Sequence, residues 1–219
     1  CRRWRAYHSI EPAMRVKRLP DDPGLSGWRA ILPDAPPGPA LEAELKADYL
    51  VIGAGFAGLS AARRLRQHDA KAKIVVLEAR GIAEGPAGRN SGFMIDLPHD
   101  LSSENYGGSK DKDRLQIKMN RAAIAFAKEA AIVYSMPKGV LEASGKVNAA
   151  ASETGMAHNR AYSKHLESLG EPHELLDADQ MRELTGSSFY PGGLRTPGTV
   201  LLQPAHYVRC LAEGLRNEA

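Results

Sequence analysis

The sequence predicts an α/β fold: a parallel sheet wound with helices, joined to part of a mixed α+β unit. Three observations predict it. Tyr49-Leu50-Val51-Ile52 and Lys73-Ile74-Val75-Val76-Leu77-Glu78 are short apolar runs that read as buried strands. Residues 57–67 between them read as a helix with small side chains on its near face, and a strand–helix–strand unit must set its two strands parallel. The turn into that helix is Gly53-Ala54-Gly55-Phe56-Ala57-Gly58, three glycines within six residues.

The remaining elements follow in chain order. Residues 1–47 hold seven of the 14 prolines (Pro12, Pro20, Pro23, Pro33, Pro36, Pro37 and Pro39). Proline fixes φ and removes a backbone donor, so this stretch is expected to be an extended arm, pinned to the body by Trp4 and Trp28. Residues 79–109 are glycine-rich and aperiodic, a long loop. Residues 111–135 carry Leu115, Ile117, Met119, Ala122, Ala123, Phe126 and Ala130 on apolar helix faces, and Pro137 stops them. Then come a strand over 139–151, a helix over 153–169, and a helix over 177–184 with Asp177 as its N-cap. Strands over 188–194 and 199–202 are joined through Arg195-Thr196-Pro197-Gly198. Pro204 opens a last helix to about Asn217. The domain reading is an arm over 1–47, a nucleotide-binding unit over 48–135, part of a second domain over 136–203, and a returning helix over 204–219.

Composition narrows the function classes. With 43% hydrophobic and 25% charged residues, the chain has the composition of an ordinary globular protein. A net charge of +3 gives little reason to expect a nucleic-acid partner, since the local excess sits in Arg2, Arg3, Arg5, Arg15, Lys17 and Arg18, which read as a solvated tail. Cys1 and Cys210 cannot build a disulfide framework, and no metal-ligand spacing is present, so a reducing, cytoplasmic setting and no metal are expected. No apolar run approaches the roughly 18 residues a membrane span needs.

The glycine turn carries the chemistry. A lone Gly-x-Gly-x-x-Gly is weak evidence, but this one leaves a strand, opens a helix, and is followed by an acid, Glu78, twenty residues beyond Gly58. Gly53 permits the turn, Gly55 lets a pyrophosphate approach the backbone, and Gly58 with Ala62 lets the helix lie close to the sheet. Phe56, Ala57 and Gly58 offer helix N-terminal amides to the phosphates. Glu78 accepts from ribose hydroxyls and repels a 2′-phosphate, which disfavours NADP. The pattern is that of a Rossmann-like FAD/NAD(P)-binding domain.

After Glu78 come Ala79 and Arg80, and then a loop ending Gly88-Arg89-Asn90-Ser91-Gly92. Here the sequence resembles the D-amino-acid oxidase superfamily of FAD-dependent oxidoreductases, above all its amine- and gamma-glutamylputrescine-oxidising branch. The lead-in Lys46-Ala47-Asp48, the run Glu174-Leu175-Leu176-Asp177 through Leu184-Thr185-Gly186, and Tyr190-Pro191-Gly192-Gly193-Leu194 followed by Leu202-Gln203-Pro204-Ala205 are similar to that branch as well. The resemblance implies FAD as the cofactor, with Ala79, Arg80, Gly88, Arg89, Asn90, Ser91 and Gly92 beside it. It also implies a substrate domain near 139–202, an amine or amino-acid substrate, and O2 or another electron acceptor; the alternatives are another glutathione-reductase-type flavoprotein such as a hydroxylase, an NAD-dependent dehydrogenase, or a non-catalytic flavin-binding fragment or subunit. Relatives that link flavin through a histidine carry it in this loop, where Arg89-Asn90-Ser91 has none, so noncovalent FAD is expected. Family members run to about twice this length. The chain is therefore expected to be truncated, its partner being a missing C-terminal half or a second chain.

No catalytic side chain is assigned. His99 is the histidine nearest in sequence to the flavin loop, either a substrate or flavin contact or a surface residue. His158 and His165 lie two turns apart on a helix and are expected to face solvent. Cys210 reads as packing, and Arg89 either neutralises cofactor charge or stabilises its own loop.

Overall fold

The computed structural model describes residues 24–34, 38–98 and 108–218. Strand β1 (Tyr49–Ile52) runs into helix α2 (Phe56–His68), which returns to β2 (Ile74–Leu77). The two strands pair in parallel, Tyr49 opposite Ile74 through Ile52 opposite Leu77, with α2 as the crossover that parallel neighbours need. Ahead of them stands one helical turn, α1 (Gly27–Ala30), where the sequence predicts only extended chain. Ser26 makes the difference by capping it: its side chain accepts from the Arg29 N–H.

Beyond β2 the loop holds a single 3-10 turn, Pro86–Gly88, and a short strand β3 (Phe93–Met94), neither with a periodicity to announce it. Helix α3 (Lys110–Val133) follows. The run over 139–151 is two strands, not one: β4 (Leu141–Glu142) and β5 (Lys146–Ala150) are separated at Gly145, whose φ is +70°. A Cβ there would lie 2.8 Å from the Thr196 carbonyl oxygen, so the break needs glycine. Helix α4 (Glu153–Leu169) ends on Gly170 in the left-handed region. Strand β6 (Glu174–Leu176), three residues long, was not foreseen. Helix α5 (Ala178–Thr185) opens with a full capping box, Asp177 and Gln180 each bonding the other's backbone N–H.

Strand β7 (Gly192–Thr196) corrects the strand expected over 188–194, since residues 188–189 form a turn and the strand runs on through Thr196, while β8 (Val200–Leu202) falls within the run expected at 199–202. They join different sheets. β7 lies between β5 and β6, all antiparallel, while β8 lies between β3 and β4. The bend at Pro197-Gly198 separates them, with Gly198 so close to the Asp96 carboxylate that a Cβ would sit 1.9 Å from Oδ2. Helix α6 (Pro204–Asn217) closes the order, with Pro204 in its first turn.

Two cores result. One joins α2, α3, α6 and the 3-10 turn through Leu59, Ala130, Val140, Val208 and Leu211. The other joins α3 and α4 to the β5–β7–β6 sheet through Ile117, Tyr162, Leu166 and Leu194. Among the described residues no helix is long and apolar enough to cross a membrane.

Candidate functional site

The three glycines of the turn answer to three different constraints. Gly53 sits at φ +98° while its N–H still donates to Leu77 O at 2.6 Å, so the chain leaves β1 without leaving the sheet. At Gly58 a Cβ would lie 1.9 Å from Gly53 O, so α2 can approach the turn only with glycine there. Gly55 meets no such crowding. Among the described residues a Cβ on it would have one neighbour within 4 Å, Ala87 Cβ at 3.5 Å, an ordinary contact. The fold leaves that spot open.

Gly55 is also the N-cap of α2, and no side chain caps the helix. The Leu59 N–H closes the first turn onto Gly55 O at 3.0 Å. The amides of Phe56, Ala57 and Gly58 precede it and have no intrahelical acceptor. An uncapped, glycine-led helix end is suited to a phosphate. The Phe56 ring, 6.1 Å from that of Tyr207, anchors this end on α6.

Glu78 is exposed, yet its carboxylate is engaged: Oε2 accepts from the Ala54 N–H at 2.8 Å and Oε1 from the Arg80 N–H at 3.1 Å. One acid thus joins the glycine turn to the end of β2. Each carboxylate oxygen has further lone pairs for ribose hydroxyls. Ala79 and Arg80 are exposed beside it. A groove of about 820 Å³ opens here, with Glu78 and Arg80 at one end and Leu59, Val76 and Leu215 among its apolar walls.

The 86–92 loop meets the turn at the Ala87–Gly55 approach. Gly88 is buried, and a Cβ on it would lie 2.0 Å from Ala83 O. Asn90 folds the loop onto itself: Nδ2 donates to Ala87 O at 2.9 Å and Oδ1 accepts from the Gly92 N–H at 2.9 Å. Gly92, at φ +80°, backs onto Leu202 O, where a Cβ would come to 2.3 Å. Ser91 is exposed. Arg89 donates from Nε to Glu84 O at 2.8 Å and from its guanidinium to Gly24 O, contacts that hold the loop. The glycine turn, Glu78 and the 86–92 loop therefore lie together, through the Glu78–Ala54 bond and the Ala87–Gly55 approach, and an uncapped helix start beside a carboxylate is a donor set of the kind that fits a dinucleotide.

The sequence reading missed what holds this loop from outside. Ser26 Oγ donates to Gly88 O at 3.0 Å, Trp28 Nε1 to Asn90 O at 2.8 Å, and Arg29 pairs with Glu84 at 3.1 Å. Trp28 was foreseen as an anchor; nothing in the spacing marked its target, 62 residues away.

The other candidates fall elsewhere. His99 lies outside the described residues. His165 corrects the expectation of a solvent-facing residue: it is buried, and Nε2 is 2.7 Å from Asp113 Oδ2. His158 is half-buried on the same helix. Cys210 is half-buried against the α6 core, and burial pushes its thiol pKa up, which makes it a poor nucleophile. Among the described residues no cluster of His, Cys, Asp and Glu could hold a metal.

A second polar group lies between the two cores. Asp96, fully buried, accepts from Arg121 at 3.1 Å, and Arg121 also pairs with Glu171. The Lys146 ammonium is covered and has no hydrogen-bond partner among the described residues; burial lowers its pKa while Asp96 opposes the shift.

The family model described as FAD dependent oxidoreductase (DAO) matches residues 48–218. The chain is 29% identical over 203 residues to the probable oxidoreductase OrdL of Rhizobium meliloti, covering 88% of this chain and 45% of that protein. It is 26% identical over 166 residues to L-2-hydroxyglutarate dehydrogenase of Escherichia coli, covering 76% and 36%. Glycine oxidase from Geobacillus kaustophilus shares the fold at a TM-score of 0.64 and 17% identity, over 78% of this chain and 45% of that one. L-amino acid deaminase from Proteus myxofaciens does so at 0.62 and 15%, over 85% and 39%. The chain thus spans less than half the length of the curated relatives it matches.

Proposed function

The chain belongs to the DAO family of FAD-dependent oxidoreductases, and from that premise we propose that Gly53–Gly58, Glu78–Arg80 and Gly88–Gly92 are its share of an FAD site in an enzyme that oxidises the C–N bond of an amine or amino acid. The observation that carries this is the uncapped start of α2 at an open Gly55, with the Glu78 carboxylate and the 86–92 loop beside it. When bound, FAD supplies at N5 the acceptor for hydride from the carbon bearing nitrogen, and O2 or another acceptor takes the electrons onward.

This chain's residues bind and orient. The α2 amides would hold phosphate, Glu78 would hold ribose, and the 88–92 backbone would line the flavin end. Noncovalent retention accords with a loop that has no histidine. The amine substrate class is supported by the Gly88-Arg89-Asn90-Ser91-Gly92 signature of the amine-oxidising branch. The match to L-2-hydroxyglutarate dehydrogenase favours a second reading, oxidation of a hydroxyl-bearing carbon.

Two measurements test the proposal. FAD titration should give saturable binding to the chain, and Gly55→Val should weaken it at least tenfold with the circular dichroism unchanged, because the new side chain enters the phosphate path and not the core. Equal affinity in both proteins would remove the site. For the whole protein, peroxide release or dye reduction with amines but not 2-hydroxy acids would select the first reading, and the reverse pattern the second.

A further inference from the structure

Residues 24–34 precede the range that the family model matches, which begins at residue 48. They nevertheless hold the loop that the proposed function assigns to the cofactor. On one side, Ser26 Oγ, Trp28 Nε1 and Arg29 reach Gly88 O, Asn90 O and Glu84, and Gly24 O accepts from Arg89. On the other side, Gln203 Nε2 donates to Trp28 O at 2.8 Å and Arg209 to Pro33 O at 2.7 Å. Trp28 and Leu32 pack against the core that α6 shares with Ile82 and Ala87.

The segment is therefore a bracket with one arm on α6 and the other on the loop. The 84–92 stretch has little ladder of its own, so its backbone carbonyls at 88 and 90 depend on these donors. A loop held in its binding conformation before the ligand arrives loses less entropy on binding. We propose that residues 24–34 form a clasp that positions the 84–92 loop for FAD, so that cofactor retention depends on a segment ahead of the range that the family model matches. The inference rests on the FAD reading for its consequence, though not for the clasp itself.

The test uses the full 219-residue chain and two variants. Trp28→Phe with Ser26→Ala removes both donors and keeps an aromatic ring, while Ser26→Thr keeps the hydroxyl. In the ligand-free chain, amide hydrogen exchange over 84–92 should rise in the double variant on the order of tenfold, from the two hydrogen bonds lost to the loop together with the Ser26 cap of α1. Exchange over 49–68 should stay unchanged, and Ser26→Thr should behave as the native chain. The FAD dissociation constant should rise on the order of tenfold in the double variant alone. Unchanged exchange at 84–92, or an increase shared equally with 49–68, overturns the clasp. Faster exchange at 84–92 in a chain that binds no FAD would uphold the clasp and reject the FAD reading instead.

Discussion

At the scale of single residues, the site rests on how differently its glycines are used. Gly58 is demanded by the fold, since its missing Cβ is what lets Gly53 O lie beneath α2. Gly58→Ala should therefore cost about 3 kcal/mol as an overpacking change, a fall in Tm of roughly 6–12 °C for a chain of this size. Gly55→Ala should leave Tm within about 2 °C, because its Cβ meets only an ordinary contact. Thermal unfolding of the two variants checks this, and equal losses would refute the division of roles. These positions were legible because glycine spacing after a strand and before a helix is set by local geometry. Glu78 was legible too, from its place at the end of β2, but its second bond to the Ala54 N–H is a tertiary contact that spacing does not encode. Arg89 shows the limit most plainly: a cation in a cofactor loop suggests charge neutralisation, and its described hydrogen bonds go to two carbonyls.

At the scale of elements, long periodic segments were read well and short ones were not. Helices α2, α3, α4 and α6 and the β1–α2–β2 unit carry their own periodicity or caps. Strands β3, β4 and β6 have two or three residues each and exist because a partner strand is present. His165 follows the same rule. Its place on α4 said nothing of Asp113, 52 residues away, which makes its burial affordable by accepting or donating across 2.7 Å. Lys146 on β5 yields a test at this scale. Burial lowers its pKa below the usual 10.5 in the folded chain, with Asp96 pulling the other way. The folded state then holds that proton less tightly than the unfolded one, so stability should rise as pH climbs toward 10.5. It should be lost again as pH falls through the depressed value. Lys146→Met has no such group, so native minus variant Tm should increase from neutral to alkaline pH. A difference that stays flat or falls would show the ammonium is satisfied in solution.

At the scale of the whole molecule, one face of the β1–β2 sheet is unaccounted for. The all-apolar runs at 49–52 and 74–77 read as strands buried on both faces, which is how parallel strands are normally found. Helix α2 covers one face, but Leu50 is 58% exposed and Ile52 82% exposed on the other, and no described residue covers them. The two share a face because strand side chains alternate. With two strands among the described residues, the sheet also leaves backbone groups of β1 open there along one edge. Exposed apolar side chains beside an open edge favour association with any surface that covers both. We therefore expect the chain on its own to self-associate, and Leu50→Thr with Ile52→Thr to shift it toward monomer. Threonine keeps the β-branched backbone preference while removing most of the apolar surface. Light scattering coupled to size exclusion, run over a range of concentrations, measures it. A native chain that stays monomeric throughout, or a double variant that associates as strongly, would mean that this face is not the sticky one.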